Sequence, residues 1–209
     1  FFVTYANLDH WKPDATVTPQ YSPLDRWLRS SLHALVRDVT QAMETYDVLG
    51  ATRPVMQFVD QLSNWWLRRS RRRFWKSDAD ADKQAAYATL YEALVTLSRL
   101  LAPTMPFMAE ELYQNLVRSV NENAPLSVDL DRWPGYDAAL VDDKLNAEMA
   151  LWMRLGSLGH AARNKANRKV RQPLAEAAFA IGNREEMAAL ERFGDLLADE
   201  LNVKQVRAL

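Results

Sequence analysis

From Ser22 onward a helix start is followed at once by a long helix face, and this run restricts the fold more than any other feature of the chain. Ser22 offers a hydroxyl N-cap, Pro23 a pre-set first helical position, and Asp25 an acid in the first turn, where unpaired N–H groups and the helix dipole favour it. Leu24, Trp27, Leu28, Leu32, Leu35, Val36, Val39, Met43 and Tyr46 then recur at the i, i+3, i+4, i+7 spacing of one buried face. A helix of this kind, running to about Asp47, needs other helices to cover it. Six Gly and nine Pro among 209 residues are too few for a turn every ten residues, which disfavours an all-β chain.

Further helices follow. Past Gly50, Pro54 suits a first helical turn, and Val55, Phe58, Val59, Leu62, Trp66 and Arg69 continue on one face. Asp78 to Asp82 supplies turn and cap residues before Tyr87, Leu90, Tyr91, Leu94, Leu97 and Leu101, and Pro103 ends that helix. Thr104 reads as the next cap, with Pro106 in the first turn and Met108, Leu112, Leu116 and Val120 on one side, and Asn121 to Pro125 closes it. Leu126 to Trp133 alternates weakly, as an extended piece would. A fifth helix from about Asp142 buries Leu145, Met149, Trp152, Gly156 and Gly159, whose glycines mark either close helix approach or a kink. Beyond Gln172-Pro173, Leu174 to Ile181 and Val203 to Val206 are strand-like and flank a helix from Arg184 to Leu197. The expected fold is mainly α. An antiparallel helical bundle (22–172) follows a connecting segment (1–21) that starts as though cut from something longer, and a small, truncated β-α-β subdomain (173–209) ends the chain.

The near balance of 26 Lys+Arg and 27 Asp+Glu hides an uneven distribution. Trp65 to Lys76 holds six cations and no acid, and Arg163 to Arg171 holds five more, again with no acid. On a wheel of about 100° per residue, Arg68, Arg71, Arg72 and Trp75 lie away from the core face, beside Asn64, whereas Arg69 and Arg73 fall toward the core with Glu110 and Glu111 as expected partners. Helix five carries a second outward row in Arg154, Lys165 and Arg168. A single basic run at a helix C-terminus is explained by the helix dipole and solvation. Two runs favour a polyanion. Guanidinium forks match phosphate oxygens, and an aromatic beside them stacks on unpaired bases, which suits single-stranded or loop RNA; nothing resembles an element that reads duplex DNA. The candidate binding residues are Asn64, Arg68, Arg71, Arg72, Trp75, Lys76, Arg154, Lys165, Arg168, Lys169 and Arg171.

Chemistry has little to stand on. With zero Cys and only His10, His33 and His160, thiolate chemistry is excluded and a His metal site disfavoured. Gly-rich phosphate loops, H-E-x-x-H and G-x-S-x-G are all missing, and the pairs Glu110-Glu111, Asp142-Asp143 and Glu185-Glu186 read as first-turn acids. No catalytic or metal residue is nominated. No apolar run nears the roughly 18 residues of a membrane span, and the first ten residues lack signal-peptide features, so a cytosolic location is the expectation.

The string Ser63-Asn64-Trp65-Trp66-Leu67-Arg68-Arg69-Ser70-Arg71-Arg72-Arg73-Phe74-Trp75 closely resembles the anticodon-binding domain of isoleucyl-tRNA synthetases. Segments in the same order resemble that family too, among them Tyr5 to Asp9, Leu24 to Trp27, Phe58 to Asp60, Ala86 to Glu92, Glu110 to Tyr113 and Val170 to Leu174. One departure is Asp129, where the resemblance leads one to expect His. The resemblance implies the anticodon-arm docking module of a class I isoleucine-tRNA ligase that uses ATP and Mg. The family's H-I-G-H and K-M-S-K-S motifs, Rossmann domain and editing domain would lie upstream, leaving this segment non-catalytic and without a cofactor of its own. Its implied partners are the isoleucine tRNA and the rest of the synthetase chain, in a monomer, with no DNA and no membrane. The alternatives are the equivalent bundle of a valyl-, leucyl- or methionyl-tRNA synthetase, or a helical scaffold whose basic faces meet an acidic protein.

Overall fold

The computed structural model describes residues 1–14, 16–76 and 80–209. It is mainly helical and divides into two compact units, Phe1–Asp142 and Asp143–Leu209. The boundary places the fifth long helix with the β-α-β segment, whereas the sequence grouped it with the bundle up to residue 172.

In the first unit, α1 (Phe2–Leu8) precedes α2 (Pro23–Glu44), whose start is a complete capping box between Ser22 and Asp25. Trp27, Leu28, Leu32, Leu35, Val36 and Val39 of α2 are buried. This helix stops at Glu44, short of the expected Asp47, because Tyr46 turns left-handed at φ 59° and Asp47 already caps the next one. Helix α3 (Val48–Asp60) therefore starts before Pro54, which lies inside it, since the Asp47 carboxylate accepts the Gly50 N–H at 2.9 Å. Any Cβ at Gly50 would overlap that carboxylate. The rod then continues without a break through a π-helical segment (Gln61–Leu67) into α4 (Arg68–Phe74).

Helix α5 (Ala81–Leu101) is capped by Asp80 through the Lys83 N–H, while Asp78, also expected in this turn, lies outside the described residues. Helix α6 (Pro106–Tyr113) runs on into a second π-helical segment (Gln114–Arg118). Thr104 is not its cap: Met105 holds that position, and the Thr104 hydroxyl bonds back to the Leu101 carbonyl. Nor is 126–133 one continuous extended piece: Ser127 and Asp131 are extended, but Val128–Leu130 between them is not. Glu110 lies beyond the first turn of α6 and accepts the Ser127 hydroxyl (2.8 Å) and the Val128 N–H (2.9 Å), which winds Val128–Leu130 into a 3-10 turn. At the N-terminus Trp11 stacks on Tyr87 at 5.2 Å, and Asp9 pairs with Lys83 at 2.6 Å, tying the opening segment to α5.

The second unit contains α7 (Asp143–Lys165), β1 (Leu174–Phe179), α8 (Arg184–Leu201) and β2 (Val203–Ala208). The strands pair in parallel, Leu174 with Val203 and Phe179 with Ala208 at the two ends of the register. Met149, Trp152 and Leu155 of α7 and Leu190, Phe193 and Leu197 of α8 are buried. Gly159 marks a close approach, since an added Cβ would stand 2.5 Å from both Leu201 methyls.

Candidate nucleic-acid interface

Along the α3–π–α4 rod, Phe58, Leu62, Trp66, Ser70 and Phe74 are all buried. Each is four residues from the last. On a straight α-helix such a ladder drifts about 40° per step, so Phe74 would end far round the cylinder from Phe58. The π-helical turns, with i→i+5 bonds, wind less per residue and absorb that drift. The opposite side is exposed: Asn64, Arg68 and Arg72, again four apart, with Arg71 and Trp75 beside them and Lys76 just beyond the end of α4. A uniform wheel fans these residues out. The signal that would have shown the ridge is the buried run spaced by four.

Ser22 and Asp25 lock this rod to α2. Asp25 is fully buried and takes both terminal guanidinium nitrogens of Arg73 at 2.7 Å, the Trp66 indole N–H at 3.0 Å, and the Ser22 N–H and hydroxyl. Asp82 adds a carboxylate oxygen 2.9 Å from Arg73 Nε. The inward arginine thus has partners other than the expected Glu110 and Glu111, which belong to the α6 region. The Asp25 hydrogen bonds and the charges of Asp25 and Asp82 outweigh the effect of burial and push the Arg73 guanidinium above its usual range.

The outward residues differ in how far they are engaged. Arg68 donates to the Asn64 carbonyl at 2.8 Å and lies over the Trp65 ring, an aromatic neighbour the sequence reading did not include. Trp75 is 58% exposed and donates its indole N–H to the Tyr5 hydroxyl at 2.9 Å, so α1 steadies an otherwise open ring. Asn64 donates to Asp60. Lys76 stands 3.0 Å from both Asp80 and Asp82, whose hydrogen bonds raise its pKa and compensate its charge locally. Arg71 and Arg72 are exposed on the ridge.

In the second unit, Arg154 pairs with Glu186 at 2.9 Å, and Lys165 is exposed in the last turn of α7. Helix α7 ends there, at a left-handed Asn167 (φ 52°), so Arg168 is not on a helical row with Arg154 as the wheel assumed. Arg168, Lys169 and Arg171 are exposed on the following turn. Arg163, from the same basic run, is buried and bonded to main-chain carbonyls. His33 accepts the Asp137 N–H, and His160 lies 3.0 Å from Glu200. Among the described residues, no group of three His, Cys, Asp or Glu could hold a metal, and no helix is long and apolar enough to cross a membrane.

A family model described as the anticodon-binding domain of tRNA ligase matches residues 25–178. The isoleucine–tRNA ligase of Dehalococcoides mccartyi strain CBDB1 is 50% identical over 209 residues, which cover 100% of this chain and 21% of that protein. Its counterpart from Thermus thermophilus is 46% identical over 211 aligned residues (100% of this chain, 20% of the relative). The isoleucine–tRNA ligase of Clostridium acetobutylicum is 44% identical over 207 residues (99% and 20%). The chain spans about a fifth of the length of the relatives it matches, 21% and 20% in the first two cases.

Proposed function

This chain belongs to the anticodon-binding domain family of tRNA ligases, and from that premise we propose that it is the anticodon-arm docking module of an isoleucine-tRNA ligase. The observation that carries the reading is the exposed run of Asn64, Arg68 and Arg72 on one side of the rod, with Arg71 and Trp75 beside it and Lys76 beyond the helix end. Guanidinium forks engage successive phosphates and fix register, and Trp75 offers an open π-face to an unstacked base. The turn bearing Arg168, Lys169 and Arg171, with Lys165, adds a second phosphate contact. Lys76 and Arg154, already held by carboxylates, contribute less.

In this reading isoleucine activation, with its ATP and Mg, is performed elsewhere in a longer cytoplasmic, monomeric ligase. The experiment is binding of the 209-residue chain to an isoleucine-tRNA anticodon stem-loop and to one with a changed anticodon, over a salt series. Affinity is expected to fall steeply with salt. Changing Arg68, Arg71 and Arg72 together to Glu is expected to abolish binding at moderate salt. Unchanged binding by that variant, with its helical signal intact, would sink the proposal.

A further inference from the structure

We propose that residues 168–171 form a preorganised phosphate-binding turn whose backbone is set by Arg163 and Asn202; this deepens the RNA-docking reading and rests on it. Arg163 is 5% exposed although it sits in a basic run. Its Nε donates to the Leu201 carbonyl at 2.9 Å, one terminal nitrogen to the Lys169 carbonyl at 3.1 Å, and the other to the carbonyls of Gln172 and Asn202 at 3.0 Å. The guanidinium lies in the last turn of α7 and against the last carbonyl of α8, so the negative ends of two helix dipoles favour its charge. With its fork spent on main-chain oxygens, Arg163 offers little to a ligand. Asn202, left-handed at φ 48°, donates its side-chain amide to the Val170 carbonyl at 2.9 Å.

These bonds decide which way the turn faces. In a trans peptide the C=O and the next N–H point in opposite directions. Drawing the Lys169 carbonyl toward Arg163 turns the Val170 N–H outward, and drawing the Val170 carbonyl toward Asn202 does the same for the Arg171 N–H. The Arg168 N–H bonded to the Arg163 carbonyl (2.9 Å) and the Gln172 N–H bonded to the Lys169 carbonyl (3.0 Å) close the turn on both sides. Its outer face therefore combines two successive backbone N–H groups with the exposed side chains of Arg168, Lys169 and Arg171. Successive outward N–H groups flanked by cations are suited to an oxyanion, and on an RNA partner that group is a backbone phosphodiester. Arg163 and Asn202 are positioning residues.

The test is binding of the labelled isoleucine-tRNA anticodon stem-loop to the 209-residue chain across a salt series, with thermal melting in parallel. Charge reversal of Arg168, Lys169 and Arg171 together is expected to weaken binding strongly. Asn202→Gly keeps a residue at ease with positive φ while releasing the Val170 carbonyl. It is expected to weaken binding several-fold and to lower the salt slope by about 0.7–0.9, the loss of one phosphate contact, with melting unchanged. Arg163→Lys keeps the charge and removes the fork, and is expected to weaken binding too; if it unfolds, Asn202→Gly decides. Undiminished binding by Asn202→Gly, in a protein sensitive to the triple reversal, overturns the turn's role alone. Indifference to the triple reversal, or no binding by the unsubstituted chain at low salt, overturns this inference together with the second-unit contact it rests on.

Discussion

Replacing Asp25 by Ala removes a fully buried carboxylate that holds the start of α2 to Trp66 and Arg73 of the arginine-bearing rod. Taking one partner from a buried ion pair costs about 3–5 kcal/mol. The lower end applies, because Arg73 keeps the Asp82 carboxylate at 2.9 Å and the Asp82 carbonyl at 3.0 Å. Loss of the reciprocal bond to Ser22 adds about 1 kcal/mol, and a buried Trp66 N–H without an acceptor about 1 more. The sum, about 5 kcal/mol, rivals the whole stability of a typical domain. Asp25→Asn is the informative variant, because it keeps the shape and an acceptor oxygen while losing the charge, at an expected cost of about 2–3 kcal/mol. The assay is urea unfolding followed by tryptophan fluorescence, which reports mainly on the first unit because Trp152 alone lies in the second. At a mid-range urea slope of about 2 kcal/mol/M, the midpoint should drop by roughly 1–1.5 M. In a cycle with Arg73→Met the two changes should be non-additive by about 2 kcal/mol. Additive effects, or an unmoved midpoint in Asp25→Asn, would refute the account of this node.

Gly159→Ala forces a methyl to within 2.5 Å of both Leu201 methyls and should destabilise the second unit by about 1–3 kcal/mol, read as an earlier loss of helical circular dichroism in urea. Acid should also weaken the first unit. Burial raises the Asp9 carboxyl, but hydrogen bonds from Lys83 and Tyr87 outweigh it and hold the pKa below its ordinary value; Glu92 is lowered in the same way, against burial, by His33 and Arg29. A depressed folded pKa gives stability that is present above the unfolded value of about 4 and lost as pH falls through the folded one. Urea midpoints should therefore decline below about pH 5, and less so in Asp9→Asn with Glu92→Gln.

What the sequence made legible was whatever local chemistry decides. The cap at Ser22, the apolar stripe of α2, the stop at Pro103 and the β-α-β order of the tail each follow from a few neighbouring residues. Partners across long sequence separations did not. Arg73 finds Asp25, 48 positions away, rather than Glu110; a carboxylate serving as a helix cap still has lone pairs for a second element, and nothing local shows which cation takes them. Similarly, Arg163 and Arg168 are alike in a charge run, yet one is a buried clamp and the other exposed. Position carried the difference, since Arg163 at the end of α7 reaches the last carbonyl of α8 and the carbonyls of the turn that follows α7. Thr104 shows the reverse error, a favourable cap residue placed one position too early.

The π-helical segment at Gln61–Leu67 also decides where chain length matters to the cationic surface. An i→i+5 turn accommodates one residue more than an i→i+4 turn. Deleting one residue there lets those turns close as ordinary α-helix, and Phe74 stays on the core face with the outward arginines still outside. A deletion inside α4, which has no such slack, rotates everything beyond it by about 100°. For proteins sharing this rod, a one-residue gap between Asp60 and Arg68 is therefore compatible with the same surface, whereas a gap within Arg68–Phe74 breaks it even where the count of arginines is unchanged.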